Sequence, residues 1–143
     1  ELELTRESAS ELMGCISADR IEKIESEKSL AHPDEVMVMA DAYKKPNLCN
    51  YYCSHECPIG REYVPEVKLK DLSQIVLEML ASLNTIDKRK DRLIEITADG
   101  KIGTDELADF RTIQEQLGRI SLSVESLRLW VEDTIAKGNI TSK

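Results

Sequence analysis

Three of the chain's four cysteines stand at a strict four-residue spacing in "LCNYYCSHECPIG", residues 48–60: Cys49, Cys53 and Cys57, with His55 between the last two. Thiolates and imidazoles are the ligands of structural zinc, and thiolates those of iron–sulfur clusters. A tetrahedral zinc holds each sulfur at about 2.3 Å, so its sulfurs lie within about 4 Å of one another. On an unbroken helix Cys49 and Cys57 would be about 12 Å apart along the axis. A straight helix therefore supplies Cys49 and Cys53, and Cys57 joins them only if the chain bends near His55. The fourth ligand would be His55 or Cys15. The candidate metal ligands are thus Cys49, Cys53, Cys57, Cys15 and His55, for zinc or an iron–sulfur cluster. The spacing matches no common zinc or ferredoxin pattern. Positions i, i+4 and i+8 are equally one face of a helix, where thiols act as small buried hydrophobes beside Leu48 and Tyr52. A redox-sensitive thiol is the third option, so the cofactor is zinc, a cluster or none.

Little else in the chain points to chemistry. There is no phosphate-cradling glycine loop and no GxSxG motif, and His32 and His55 are its two histidines. The 27 acidic residues show no distinctive pairing, and general acid–base work needs a positioned set. An enzyme is not expected. "EITADGKIGTDE", residues 95–106, resembles the second half of a calcium loop, but Glu95 and Thr97 stand where early oxygen ligands are needed. It reads more simply as a joint, with Gly100 left-handed and Thr104 capping the next helix. The basic run "DKRKDR", residues 87–92, carries its own partners in Asp87 and Asp91 and reads as a solvated helix face.

The elements that must carry these residues are helices. With one Phe, one Trp and four Tyr among 143 residues, the core must be built from Leu, Ile, Val and Met, which suits helices better than packed sheets. No apolar run approaches the ~18 residues of a membrane span. The opening "ELELTRESASEL" is acidic and polar, unlike a signal peptide, so reduced cysteines in a cytoplasmic protein are expected. The net charge is −8, which excludes a protein that binds nucleic acid through bulk electrostatics.

Residues 1–47 read as three short helices. Thr5 caps the first, Ala9, Leu12 and Met13 share its inner face, and Gly14 stops it. Ser17 caps the second, which buries Ile21 and Ile24. Pro33 opens the third, with Asp34 and Glu35 in its first turn; Val36, Met39, Ala40 and Tyr43 face inward and Pro46 ends it. Residues 48–66 form the cysteine segment and a linker, with "CPIGREYVPEV" mostly loop.

Residues 67–143 differ in kind. Leu72, Val76, Met79, Leu83, Ile86 and Leu93 follow a seven-residue repeat, interrupted by Lys90. The repeat resumes at Phe110, Ile113, Leu117, Ile120, Val124, Leu127 and Val131. The short break predicts an antiparallel hairpin. Two helices alone leave such a stripe wet, so a homodimer through residues 67–137, as a four-helix bundle, is expected.

Residues 4–43, "LTRESASELMGCISADRIEKIESEKSLAHPDEVMVMADAY", resemble the Cro/CI-type, or XRE, helix-turn-helix regulators. "LTRESASELMG" is similar to their first helix of the motif, "IS" to the tight turn, "RIEKIESEK" to the end of the recognition helix and "HPDEVMVMADAY" to the scaffold helix. The chain with its cysteine segment also looks like a subset of such bacterial regulators that carries a cysteine-rich joint and a C-terminal helical hairpin. The family has a further helix before "LTRE", and this sequence begins too late to include it. The resemblance implies an all-α fold: a helix-turn-helix domain without its first helix over residues 1–47, a cysteine-rich joint over 48–66 and a long antiparallel helical hairpin over 67–143. It implies a dimer on double-stranded operator DNA, read in the major groove by Ser17, Ala18, Arg20, Lys23 and Lys28. Against this, the reading helix is acidic, and residues 1–60 hold 12 acids and 6 bases. The alternative is a helical protein-interaction or antitoxin-like module whose helix-turn-helix does not bind DNA.

Overall fold

A computed structural model describes residues 3–139. They are all-α, with no strand among them. Their helices are α1 (Arg6–Met13), α2 (Ala18–Glu25), α3 (Pro33–Ala42), α4 (Asn47–His55), α5 (Pro58–Tyr63), α6 (Leu72–Asp87), α7 (Lys90–Thr97) and α8 (Leu107–Ala136). Among the described residues no helix is long and apolar enough to cross a membrane. The chain divides into two compact units, one holding residues up to Lys68 and those from Val131, the other Leu69–Trp130.

In the first unit the chemistry of the caps fixes the helices. The Thr5 side chain accepts the Ser8 N–H at 3.2 Å, filling one of the orphan donors at a helix start. Gly14 ends α1 in the left-handed region, φ 70°, where a side chain would be strained. The Ser17 hydroxyl accepts the Arg20 N–H at 3.2 Å and starts α2. Pro33 opens α3, and the His32 N–H donates back to Glu35 at 2.8 Å. Ala9, Met13, Ile16 and Ile21 form the core, with Val38, Met39, Ala42 and Tyr43 of α3 and its end packed on them. Leu12 does not join its expected inner face; it is exposed. It lies on the flank of α1, about 60° round from Ala9 and 100° from Met13, where one apolar residue in solvent is ordinary.

Two stretches expected to be irregular or continuous differ. "PIGREY" is a helix, α5, because Pro58 occupies its first position and Cys57 caps it. The first arm of the hairpin is broken at Lys88 and Arg89, between α6 and α7. The Arg89 N–H turns to the Ile86 carbonyl at 2.9 Å; six successive charged residues there offer no apolar side chain to hold the helix against its neighbour. Asp87 pairs with Lys90 at 3.1 Å and Arg92 with Glu95 at 3.2 Å, so Lys90 and Arg92 of the basic run each hold an acid.

In the second unit α6 and α7 return along α8. Arg92 pairs with Asp109 at 2.9 Å near the turn. Farther from the turn, Glu78, Ala81 and Ser82 share a groove with Arg119, Leu122, Ser123 and Ser126. One arm's numbers fall as the other's rise, so the arms are antiparallel. At the joint Gly100 is left-handed, φ 71°, as its role in a turn requires. Thr104 is not the cap: α8 begins at Leu107, and Glu106 reaches back to the Gly103 N–H at 2.9 Å. Asp99 accepts the Lys101 N–H at 2.9 Å, a local turn bond.

Candidate functional site

The turn Gly14–Ser17 sets α2 against α1, and the Ser10 hydroxyl fastens it by donating to the Ile16 carbonyl at 2.8 Å. Arg6 pairs with Glu25 at 2.7 Å, joining the start of α1 to the end of α2. The five residues expected to meet DNA are then placed as follows. Ser17 is exposed, with its hydroxyl capping α2. Ala18 is half-buried at the first helical position. Lys23 and Lys28 are exposed and each holds an acid: Lys23 to Asp19 at 2.7 Å, Lys28 to Glu22 at 2.8 Å. The partners hold the Asp19 and Glu22 carboxyls below their ordinary values, mainly through these hydrogen bonds.

Arg20 is turned inward. Its guanidinium grips Glu35 with two bonds, Nε to Oε1 at 2.6 Å and Nη2 to Oε2 at 2.7 Å. Nη1 donates to the Ser29 hydroxyl at 2.6 Å and Nη2 also to the Leu30 carbonyl at 2.9 Å. Such a fork is the strong, geometry-fixing form of an ion pair. The Arg20 hydrogen bond, joined by the His32 N–H, pulls the Glu35 carboxyl down to about 2. Arg20 therefore fixes α2 to α3 and to the loop between them. Glu35 was legible only as a first-turn acid, because its partner lies 15 residues away.

The cysteine segment bends where a metal site would need it to. Helix α4 ends at His55, and Cys57 opens α5. The bend serves packing. The Cys57 thiol accepts the Gly60 N–H at 3.4 Å as the cap of α5. Gly60 is buried against α4, and a methyl on it would overlap the Cys53 carbonyl. His55 stacks on Tyr51, ring centres 4.3 Å apart, and its Nδ1 lies within hydrogen-bond distance of Ser54 Oγ and the Tyr51 carbonyl. Cys15 is exposed in the turn after α1. Cys49 and Cys53 are half-buried on successive turns of α4. Burial, reinforced by Cys53, Glu132 and Asp41, pushes the Cys49 thiol up, away from the thiolate that binds metal. Among the described residues no three His, Cys, Asp or Glu side chains are grouped to hold a metal ion. All four cysteines are free thiols.

Asn50, which no motif marked, ties the linker to this helix. Its side chain donates to the Pro65 carbonyl at 3.1 Å and accepts the Val67 N–H at 2.7 Å. A lone asparagine on a helix carries no signal for a bond to a segment 15 residues on.

No family model, no curated protein and no solved structure matches this chain.

Proposed function

We propose that the chain is a sequence-specific, DNA-binding transcriptional regulator of the bacterial cytoplasm, acting as a dimer and laying α2 in the major groove. The observation that carries this is the mounting of α2. It leaves a four-residue turn, shares one core with α1 and α3 through Ile16 and Ile21, and is held from behind by the Arg20–Glu35 fork. A recognition helix must be held rigidly while its N-terminal residues stay open. Here Ser17, Asp19 and Lys23 are open, and the positive end of the helix dipole faces the same way, favouring phosphate. The exposed pairs of Lys23 and Lys28 can exchange their carboxylates for phosphate oxygens at little cost, since surface pairs are weak. Arg20 acts as a positioning residue for α2 instead of a base reader.

Binding of the full chain to DNA from upstream of its own gene, followed by fluorescence anisotropy against salt, tests this. Lys23→Ala and Lys28→Ala should each weaken binding and each lower the salt slope by about one. Absence of any salt-dependent binding would sink the reading. A second reading, a helical interaction module with a silent helix-turn-helix, is favoured by one observation: Arg20, Lys23 and Lys28 all already hold acids. On that reading the two lysine variants change nothing.

A further inference from the structure

The hairpin buries the wrong half of its apolar residues for a molecule that works alone. Among the described residues of this unit the buried positions are Ile75, Ser82 and Ile96 on one arm and Ile113, Ser123, Ser126 and Leu129 on the other. The Ser123 and Ser126 hydroxyls turn back to the Arg119 and Leu122 carbonyls at 2.9 and 2.8 Å. Meanwhile Leu72, Val76, Leu80, Leu83, Leu117 and Val124 keep 38–53% of their surface exposed.

These six residues share one face. With about 100° of rotation per residue, Leu72, Val76 and Leu83 lie some 60–100° round α6 from Ile75, and Leu80 a little farther. On α8, Leu117 and Val124 lie about 100–120° round from Ser123 and about 20–40° round from Ile113, in the same sense. Two antiparallel helices rotated in the same sense from their seam present the same side of the hairpin. The opposite side is the groove of Glu78, Ala81, Arg119 and Leu122. The seven-residue repeat is therefore split. One half, Met79, Ile86, Leu93, Ile113, Ile120 and Leu127, is at least partly covered, while Val76, Leu83, Leu117 and Val124 face out.

We infer that this outward half is covered by a second copy of the chain, face to face, in a four-helix bundle. In such a bundle each core position points to the centre, between a helix of its own hairpin and one of the partner, so a single hairpin must leave half of each stripe bare. The occupant must offer leucines and valines at the same seven-residue period over the same length. A two-fold pairing of this face with itself supplies that directly. The six residues expose roughly 500 Å² per copy, so these side chains alone bring about 1,000 Å² to the pair, the lower bound that a specific interface must clear. The inference rests on the dimeric part of the function proposed above and names its surface.

Analytical ultracentrifugation of the full chain, with helicity followed by circular dichroism, tests it. The wild type should sediment at twice the chain mass. Val76→Glu with Val124→Glu should sediment as a monomer of unchanged helicity. Leu80→Gln, a milder change, should loosen the dimer about tenfold or more and serves if the double variant fails to fold. Leu77→Glu, on the back of α6 and 69% exposed, should leave the dimer intact. A monomeric wild type, a dimer indifferent to both Val76→Glu with Val124→Glu and Leu80→Gln, or a dimer broken by Leu77→Glu overturns the inference. A dimer that passes these tests yet binds no DNA sinks the DNA-binding reading and leaves this surface standing.

Discussion

Helices α1 to α5 are each ten residues or shorter, whereas α6 and α8 run for 16 and 30. Helices of the first kind are marginal in water by themselves, since nucleation is costly and few bonds repay it. The first unit answers with many specific locks: caps at Thr5 and Ser17, the Ile16–Ile21 core, and ion pairs from Arg6 to Glu25 and from Arg20 to Glu35. The hairpin needs fewer. Its long helices carry their own backbone bonds, and a few isoleucines hold the seam. What it lacks is a cover for its leucines. Polar contacts between distant residues define the first unit, and the phase of an apolar stripe defines the second.

If that contrast is right, the largest effect comes from the hairpin seam. Ile75 is fully buried, and Ile75→Ala should cost about 2–5 kcal/mol, read as a drop in the urea midpoint. A loss near that of a surface substitution would show the seam does not hold the arms. In the first unit the tightest fit is Gly60 on α4. Gly60→Ala must displace the Cys53 backbone and should cost about 1–3 kcal/mol in thermal unfolding, mostly through strain. A neutral result would mean that α5 moves freely on α4.

The pH dependence of the first unit is the most diagnostic of polar locking. The Glu35 carboxyl sits at about 2 in the fold, against 4.5 ordinarily. A depressed carboxyl contributes stability that is complete above its unfolded value and lost as pH falls toward the folded one. The wild type should therefore lose stability between about pH 5 and pH 2, and Glu35→Gln should be less stable at pH 7 with a flatter profile. Parallel profiles for the two proteins would break the contrast.

Much of this was legible where the cause is local. Thr5, Gly14, Ser17, Pro33 and Gly100 announce their roles by their own backbone chemistry, and the seven-residue repeat announces the hairpin. The break at Lys88 and Arg89 was visible only as Lys90 in an apolar position. Long-range facts were not legible: which half of the repeat is covered, that Arg20 meets Glu35, that Asn50 holds the linker. The cysteine spacing was ambiguous because a ligand set and a helix face share the i, i+4 step. The bend at Cys57 did occur, but the thiol it freed became the cap of α5.

The inward turn of Arg20 has a consequence for genetics. On the DNA-binding function proposed above, a random screen for inactive alleles should return Arg20 readily, and the allele would look like a lost DNA contact. Its signature should instead be conditional: function restored at low temperature, steady-state protein level reduced, and rescue by second-site changes that tighten α2 on α3. Alleles at Lys23 should show none of these, leaving protein level normal at every temperature.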